Sequence, residues 1–359
     1  MSSLLQRFDP TVPIERAATP PASWYIAEEF YELERAAVFR RNWQAVARAD
    51  QLERPGDFVS GDLVGEPFVV VRDERGRLRG FFNVCRHHAA CVAHGEGNAS
   101  RLVCPYHGWS YDLDGRLRSA PRLAGVRDFD RERFGLKPVE VASWGPLVFL
   151  RLEPGGAPLD ELMRPLDGRV ETASLRFVAR RSYQIGCNWK VYVDNYLDGG
   201  YHVGHLHRGL AAQLDLDSYR TELVDRISLQ LCTSGGGGST GIDFEQRLGD
   251  GAVYAFVFPN FMLNRYGPIL DTNWVLPLGP ERTLTVFDYY FAQGHDDPAF
   301  VERSVAASDQ VQIEDVEVCE SVQRGLRSSA FDRGRYAPQV EQAAHHFHRL
   351  LAAELAAAQ

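Results

Sequence analysis

No stretch of this 359-residue chain approaches eighteen consecutive apolar residues, so nothing in it reads as a helical membrane span. Basic residues are the minority, with 39 Lys and Arg against 48 Asp and Glu and a formal net charge of −9. There is no basic run either, which excludes a nucleic-acid binder. The start, Met1-Ser2-Ser3-Leu4-Leu5-Gln6-Arg7, lacks a cationic flank leading into an apolar core, so no secretory signal is expected. Cysteine is scarce: six in all. Cys91, Cys187, Cys232 and Cys319 follow no disulfide-framework spacing and read as reduced core thiols of a cytoplasmic protein. No internal repeat is present. What remains is a globular composition, 45% hydrophobic and 24% charged, long enough for two fused units.

The remaining two cysteines carry the strongest signal. Cys85-Arg86-His87 is followed by Cys104-Pro105-Tyr106-His107, a C-x-H…C-x-x-H pattern with sixteen residues between His87 and Cys104. Zinc also takes two Cys and two His, but its fingers pair two cysteines closely and place two histidines on a helix. Here each short pair is mixed. The surroundings, Gly95, Gly97, Asn98, Gly108 and Trp109-Ser110-Tyr111, are turn-rich and strand-like. Two hairpin tips facing each other suit a [2Fe–2S] cluster, one iron on two sulfurs and the other on two histidines. Neutral imidazoles in place of thiolates remove negative charge and raise the reduction potential. The two loops, including the run Cys104 to Trp109, resemble the Rieske domain of the ring-hydroxylating and N-methyl-oxidising oxygenases. Such a domain handles electrons one at a time.

Around these loops the pattern is all-β. Residues 21–48 read as a helical entry, with Ser23 as cap, then Tyr25, Phe30, Leu33, Ala37, Phe39 and Trp43. From about 45 to 150, short strands alternate with turn signals such as Asp73-Glu74-Arg75-Gly76 and Asp112-Leu113-Asp114-Gly115. Glu153-Pro154-Gly155-Gly156-Ala157-Pro158 reads as a linker. Beyond it α and β patterns mix. Strands are expected at 181–187, 223–232, 253–258, 261–266, 272–276 and 283–291, and helices near 189–200, 299–325 and 338–357. The expected organisation is an N-terminal helical segment (1–44) packing on the catalytic domain, a Rieske [2Fe–2S] domain (45–152) and a catalytic domain (153–359). Gly235 to Gly241 contains G-x-G-x-x-G, but the charged segment after it, Ile242 to Gly251, is too short for the helix of a dinucleotide fold. A loop is expected there, and no NADH oxidation by this chain itself.

A second constellation lies in Asn188 to His207, which holds three histidines, His202, His205 and His207, and two aspartates, Asp194 and Asp198. Two histidines and one carboxylate can bind Fe(II) and leave positions open for O₂. On a helix, Asp198 and His202 share a face, and so do His202 and His205. His207 lies about 140° from His202, and fits only if the helix ends near Val203-Gly204. Periodicity does not choose between His205 and His207. The third ligand is sought on the helical stretch Ser308 to Val322, where Val311, Val318, Cys319 and Val322 mark an apolar stripe. Asp315 sits on that stripe, where a buried carboxylate is costly unless it meets a cation. Glu314 lies at the stripe's edge; Glu317 and Glu320 read as solvated.

This segment resembles the iron-binding run of Rieske oxygenase α subunits, whose ligands are spaced H-x₄-H. The resemblance implies His202, His207 and Asp315 as ligands of a mononuclear Fe(II). It also implies an α+β fold: an all-β Rieske domain plus a catalytic domain with a central antiparallel sheet flanked by helices. In the family an acid before the first histidine links the cluster of one subunit to the iron of the next. Its common position is three residues ahead, here Gly199; Asp198, four ahead, is the expected bridge.

The resemblance covers nearly the whole chain and is closest to the choline monooxygenases of that family. It is carried by Pro21-Ala22-Ser23-Trp24-Tyr25, Asn188 through Val203, Arg265-Tyr266-Gly267-Pro268, Cys319 through Leu326 and His345-His346-Phe347-His348. The compact HHFH run reads as a terminal helix surface or subunit contact rather than a third metal site, since no acid or cysteine adjoins it. The relation implies a monooxygenase that hydroxylates a small quaternary ammonium compound, choline-like or betaine-like, with N-demethylation as one outcome. It further implies O₂, a separate NAD(P)H-dependent reductase or ferredoxin, and a homotrimer. A methylated ammonium is held by ring faces. Tyr201, Tyr266, Phe256 and Trp274 are the cage candidates, with Tyr196, Phe258 and Tyr289 in reserve. An aromatic-ring dioxygenase with the same metals, and a Rieske electron carrier without chemistry, are the competing readings.

Overall fold

The computed structural model describes residues 2–212, 214–235 and 249–358. The chain divides into two compact units, residues 40–163 and residues 1–39 with 164–359.

The 40–163 unit is built of short antiparallel strands. Seven form one sheet in the order β1-β10-β9-β4-β3-β2-β5. They are β1 (Gln44–Arg48), β2 (Asp57–Leu63), β3 (Glu66–Arg72), β4 (Leu78–Phe82), β5 (Glu96–Asn98), β9 (Pro138–Trp144) and β10 (Leu147–Arg151). A second, three-stranded sheet holds β6 (Leu102–Val103), β7 (Ser110–Tyr111) and β8 (Leu117–Ser119). The Asp112–Gly115 turn joins β7 to β8, with Gly115 at φ +87, a conformation that glycine adopts without strain. Val69, Val71, Phe81, Trp109, Tyr111, Leu113 and Leu117 form the core behind these sheets.

This unit is wider than expected at both ends. It begins at Arg40 rather than 45 and runs to Met163 rather than 152. The expected linker is tied down: Glu153 accepts from Arg40 Nε at 2.9 Å. The carbonyl of Ala157 accepts from Trp43 Nε1 at 3.1 Å and from Arg151 at 3.0 Å. Glycine and proline mark a bend there, not a gap between units.

In the other unit, seven strands form an antiparallel sheet in the order β11-β17-β16-β15-β14-β13-β12. They are β11 (Leu175–Ile185), β12 (Leu214–Val224), β13 (Ile227–Ser234), β14 (Gly251–Val257), β15 (Phe261–Tyr266), β16 (Ile269–Gly279) and β17 (Arg282–Ala292). Strands β12 to β17 run as a meander, and β11 closes it beside β17. Strand β12 was expected only at its last residues. Its sequence, LDLDSYRTELV, alternates with charge because it is an edge strand, and charge on an edge blocks further pairing.

Among the described residues, the longer helices of this unit are α1 (Trp189–Tyr196), α2 (Pro298–Leu326) and α3 (Gln342–Ala357). Asn188 caps α1, its side chain accepting from Lys190 N at 3.1 Å. Asp297 caps α2 by accepting from Phe300 N at 3.0 Å, with Pro298 at the first helical position. The N-terminal entry is two short helices, Ser23–Ile26 and Glu28–Glu34, then one π turn, Arg35–Phe39. Ser23 does not cap; Ala22 holds that place without a side-chain bond. The entry is pinned by a fully buried pair, Lys190 Nζ to Glu34 Oε1 at 2.7 Å, to which Trp189 Nε1 adds a bond at 3.0 Å.

The buried face of α2 differs from the expected apolar stripe. Ser304, Ser308, Gln312, Asp315, Cys319 and Gln323 face inward, while Val322 is 46% exposed. Most of these polar groups are bonded: Tyr289 donates to Ser308, Tyr192 to Gln312, and Asn188 N to Gln323, whereas the Ser304 hydroxyl is buried without a partner. The HHFH run is not a surface either. His345, Phe347 and His348 are buried, and His348 Nε2 lies 3.0 Å from Asp194 Oδ1, an acid far off in sequence. Among the described residues no helix is long and apolar enough to cross a membrane. The segment Gly236–Gly241, with most of the glycine-rich run, lies outside the described residues.

Candidate metal centres

In the 40–163 unit, the loop after β4 carries Cys85 and His87, and the β6–β7 hairpin carries Cys104 and His107. Backbone bonds shape each loop, and in the first the buried Asn83 side chain joins them, accepting from Val92 N at 2.8 Å and Ala93 N at 3.1 Å and donating to Ala93 O at 2.8 Å. Ala89 N donates to Cys85 O at 3.0 Å, and Gly108 N to Cys104 O at 3.1 Å, so each cysteine opens a tight turn that presents its histidine. Gly108 sits at φ +71, which the turn requires. The two rings meet edge to face, centroids 4.7 Å apart. Both cysteines are buried, whereas His107 and its neighbour Tyr106 are exposed. Trp109 stacks on His87 at 4.7 Å with the planes 6° apart. Tyr111 Oη lies 3.3 Å from Cys85 Sγ and accepts from Arg86 N at 2.9 Å.

Two observations fit these four residues to a cluster. His87 Nδ1 is buried with no hydrogen-bond partner, which in a native interior marks a ligand atom or a missing partner. Burial, then the neighbouring rings of His88 and His107, push His87 below its ordinary pKa, so the ring is neutral. Burial also pushes the Cys104 thiol up, a cost that a metal bound to the thiolate offsets.

The second centre lies wholly in the other unit. Helix α1 stops at Tyr196, not near 200, because Gly199 and Gly200 turn the chain at φ +69 and +75. A Cβ on Gly199 would come 2.1 Å from Val340 O. The position where the family commonly has its acid therefore has no room for a side chain. Asp198, just before it, takes up the turn: its carboxylate accepts from Tyr201 N at 3.1 Å and His202 N at 2.9 Å, and meets His202 Nδ1 at 2.6 Å. The short helix Val203–Leu206 follows and breaks at His207. Gly204 lies inside that helix and is not the breaker; the break comes one turn earlier, at the two glycines. His205 points to solvent.

His202, His207 and Asp315 come together, with one ligand atom from each within 4.8 Å of the others. The rings of His202 and His207 are 4.9 Å apart at 82°. Asp315 Oδ1 lies 3.0 Å from His207 Nε2 and 3.9 Å from His202 Nε2. It also accepts from Asn195 Nδ2 at 2.8 Å. Three residues complete the network: Glu314, which the sequence reading placed at the edge of the stripe, and Gln312 and Asn195, which it passed over. Glu314 meets His207 Nδ1 at 2.6 Å, Gln312 donates to Asp315 Oδ2 at 3.3 Å, and Asn195 holds Oδ1. Only helix spacing from Asp315, three residues on, pointed to Gln312, and it points equally to solvated neighbours.

The histidines and Asp315 form part of the wall of a cavity of about 110 Å³. Tyr192, Tyr196, Tyr219 and Tyr254 contribute rings to it. A second cavity, about 230 Å³, adjoins it and shares His207, Tyr254, Asn264 and Gln312; Tyr266 and Phe287 line that one. Burial holds Tyr192, Tyr196 and Tyr219 well above the ordinary tyrosine pKa, so these walls are uncharged phenols. Of the four cage candidates, Tyr266 lines the second of these cavities, its hydroxyl donating to Asp271 at 2.6 Å. Tyr201 is 60% exposed. Phe256 packs against Phe347 in the core, and Trp274 is covered by the Arg180 guanidinium. Strand aromatics alternate between core and cavity, and without the sheet register their side cannot be read. Of the reserve residues, Tyr196 lines the cavity, whereas Phe258 and Tyr289 are core.

A cluster-type loop pair and a two-histidine, one-carboxylate centre in one chain define an oxygenase class, and the chain belongs to it: it is a Rieske non-haem iron oxygenase α subunit. Residues 42–130 match the Rieske [2Fe–2S] domain, and residues 172–357 match the catalytic domain of the ring-hydroxylating α subunits. Members carry a Rieske cluster and a mononuclear iron. The chain is 50% identical to the chloroplastic choline monooxygenase of Arabidopsis thaliana, over 98% of this chain and 86% of that protein. It is 32% identical to the carnitine monooxygenase oxygenase subunit of Escherichia coli, over 94% of each. The structure of the quaternary ammonium Rieske monooxygenase CntA with its substrate L-carnitine aligns with a TM-score of 0.83 at 27% identity, covering 96% of this chain and 97% of that one. Naphthalene 1,2-dioxygenase from Rhodococcus sp. shares the fold, with a TM-score of 0.79 at 21% identity.

Proposed function

We propose that this chain is the oxygenase component of a monooxygenase acting on a small quaternary ammonium compound. Cys85, His87, Cys104 and His107 would hold the cluster, and His202, His207 and Asp315 the iron. The observation that carries the reading is the placement of these three side chains, facing one another in the wall of a cavity lined by uncharged tyrosines. Ring faces suit a methylated ammonium, which cannot donate hydrogen bonds. The names of the relatives point to the same substrate class.

The iron, when bound, supplies O₂ activation at its open positions. The chain's own residues fix the ligands and screen the site. Asp198 orients His202, Asn195 and Gln312 hold the Asp315 carboxylate, and the tyrosines exclude bulk water. Overall, a C–H bond, O₂, two electrons and two protons give a C–OH and water. Hydroxylation of an N-methyl carbon gives a carbinolamine that loses formaldehyde and a proton, which is N-demethylation; hydroxylation of a carbon that already bears a hydroxyl gives an aldehyde hydrate, and elsewhere an alcohol remains. In this reading a separate reductase or ferredoxin supplies the electrons and the chain works as a homotrimer. Asp198 bridges one subunit's cluster to the next subunit's iron; its bond to His202 supports that role. Six unpaired cysteines suit the reducing cytoplasm.

The test is turnover of choline, glycine betaine, carnitine and simple aromatics with a surrogate reductase, scored by product mass. A gain of one oxygen, or loss of one methyl group, on a quaternary amine is expected. Turnover of the aromatics alone would overturn the substrate class. An iron content near two per chain with no O₂ uptake would leave only an electron carrier.

A further inference from the structure

We infer that Glu314 is a positioning residue for the mononuclear iron, holding His207 in the tautomer and orientation that present Nε2 to the metal. This deepens the reading above and rests on it. A histidine that ligates through Nε2 must keep its proton on Nδ1, and that proton needs an acceptor. His207 is 2% exposed, so water does not serve. Glu314 Oε2 does, at 2.6 Å from Nδ1.

The carboxylate is itself anchored. Its other oxygen accepts from Gln310 Nε2 at 3.0 Å, one helical turn earlier. Both oxygens are engaged, and the His207 ring is fixed in plane rather than merely touched. Glu314 and Asp315 are successive residues of α2, yet they reach opposite edges of the same imidazole, Nδ1 and Nε2. One turn of one helix thus carries both a ligand and the support of another ligand. Any displacement of that turn moves the two together and preserves their mutual geometry.

The first histidine is held by the same device made differently. Asp198 supports His202 from a glycine turn, tied by backbone N–H groups. In the proposed function Asp198 also lies on the electron route. Glu314 supports the other ring from the opposite side of the centre, with no such second duty. Its loss should therefore act on the metal itself rather than on electron delivery.

The experiment compares wild type, Glu314→Gln and Glu314→Ala as full chains with the cluster loaded and the mononuclear iron removed. Each is titrated anaerobically with Fe(II), and the Fe(II)–nitric oxide adduct is examined by electron paramagnetic resonance. The visible cluster spectrum and the thermal unfolding midpoint report folding. Outer carboxylates of this kind are worth about 10- to 100-fold in metal affinity. Glu314→Ala is expected to weaken Fe(II) binding within that range and to change the adduct's spectrum. Glu314→Gln, whose amide oxygen still accepts from Nδ1, is expected to lose less, on the order of tenfold. Affinity and spectrum unchanged in both variants overturn the proposal. If Glu314→Ala does not fold, the Gln variant decides alone, by the same two readouts. Failure of wild type itself to bind a third iron would strike the proposed function instead, so the two failures are distinguishable.

Discussion

The two metal centres are built by opposite means. In the 40–163 unit the ligands sit on two loops held by bonds to their backbone, Ala89 N to Cys85 O and Gly108 N to Cys104 O, with Tyr111 and Asn83 taking Arg86 N, Val92 N and Ala93 N of the first. The side chains around them are mostly apolar, and His107 stands exposed at the surface. In the other unit His207 and Asp315 lie 108 residues apart, on a helix break and a long helix, and side-chain bonds set their geometry. Asp198, Glu314, Asn195 and Gln312 each hold a ligand. An exposed histidine suits a group that passes electrons outward. A ligand set wrapped in carboxylates suits a metal that must keep its geometry while its open positions change.

The sharpest way to break this contrast is to remove one ligand from each centre. Cys85→Ser should abolish the visible cluster spectrum and leave Fe(II) binding at the other centre. Asp315→Ala should do the reverse, dropping iron from near three to near two per chain with the spectrum kept. A loss of both metals in either variant would mean that the centres do not assemble independently. Next in size is the choice between neighbouring histidines. His207→Ala should empty the mononuclear centre, whereas His205→Ala, at an exposed position, should leave iron content unchanged. The opposite pattern would reverse the assignment of the ligands.

The same contrast explains what was legible in the sequence. The cluster loops are local: ligand, turn glycine and second ligand lie within a few residues, so the pattern can be read directly. Most strands of the large sheet and the long helix followed from periodicity. The iron centre was legible only in part. Helix arithmetic assumed a continuous helix through His202, but Gly199 and Gly200 end it. It then drew the stripe of α2 through Val311, Val318, Cys319 and Val322; Cys319 and Asp315 are buried as expected, but much of that face is polar, with partners such as Tyr192 and Asn188. Those partners are distant in sequence, and no local pattern announces them. Tyr196 and Tyr266 were among the aromatic candidates, but Tyr192, Tyr219 and Tyr254 were missed for the same reason: Tyr219 stands on an edge strand whose charges resemble a loop.

Gly199 offers a test between the two modes of construction, because here the iron centre also depends on backbone. A Cβ at this position would sit 2.1 Å from Val340 O, and φ is +69. Gly199→Ala should therefore cost more than about 2 kcal/mol of stability. It should also weaken Fe(II) retention, since the displaced turn carries Asp198 and His202. Moving the acid one place forward, Asp198→Gly with Gly199→Asp, should fail in the same way. Unchanged thermal unfolding and iron content in Gly199→Ala would show that the turn yields and that this centre rests on side chains alone.

The smallest effect expected is at the cluster, where one side chain does act on a ligand. Arg86 N donates to Tyr111 Oη at 2.9 Å, which leaves the phenol's own proton to point elsewhere, and Cys85 Sγ is 3.3 Å away. Burial first, then the bond to Cys85, hold Tyr111 far above the ordinary phenol pKa, so that proton is retained at any working pH. A hydrogen bond to a cluster sulfur favours the reduced, more negative state and raises the potential. At about 1 kcal/mol for one such bond, and about 59 mV per 1.4 kcal/mol for a one-electron couple, Tyr111→Phe should lower the potential by roughly 40 mV. The visible spectrum should persist, because all four ligands remain. A redox titration followed in that spectrum measures the shift. A drop of this size would qualify the contrast, showing that backbone shapes the cluster loops while a side chain tunes what they hold; no drop would mean that the Tyr111 hydroxyl serves only to close the loop at Arg86.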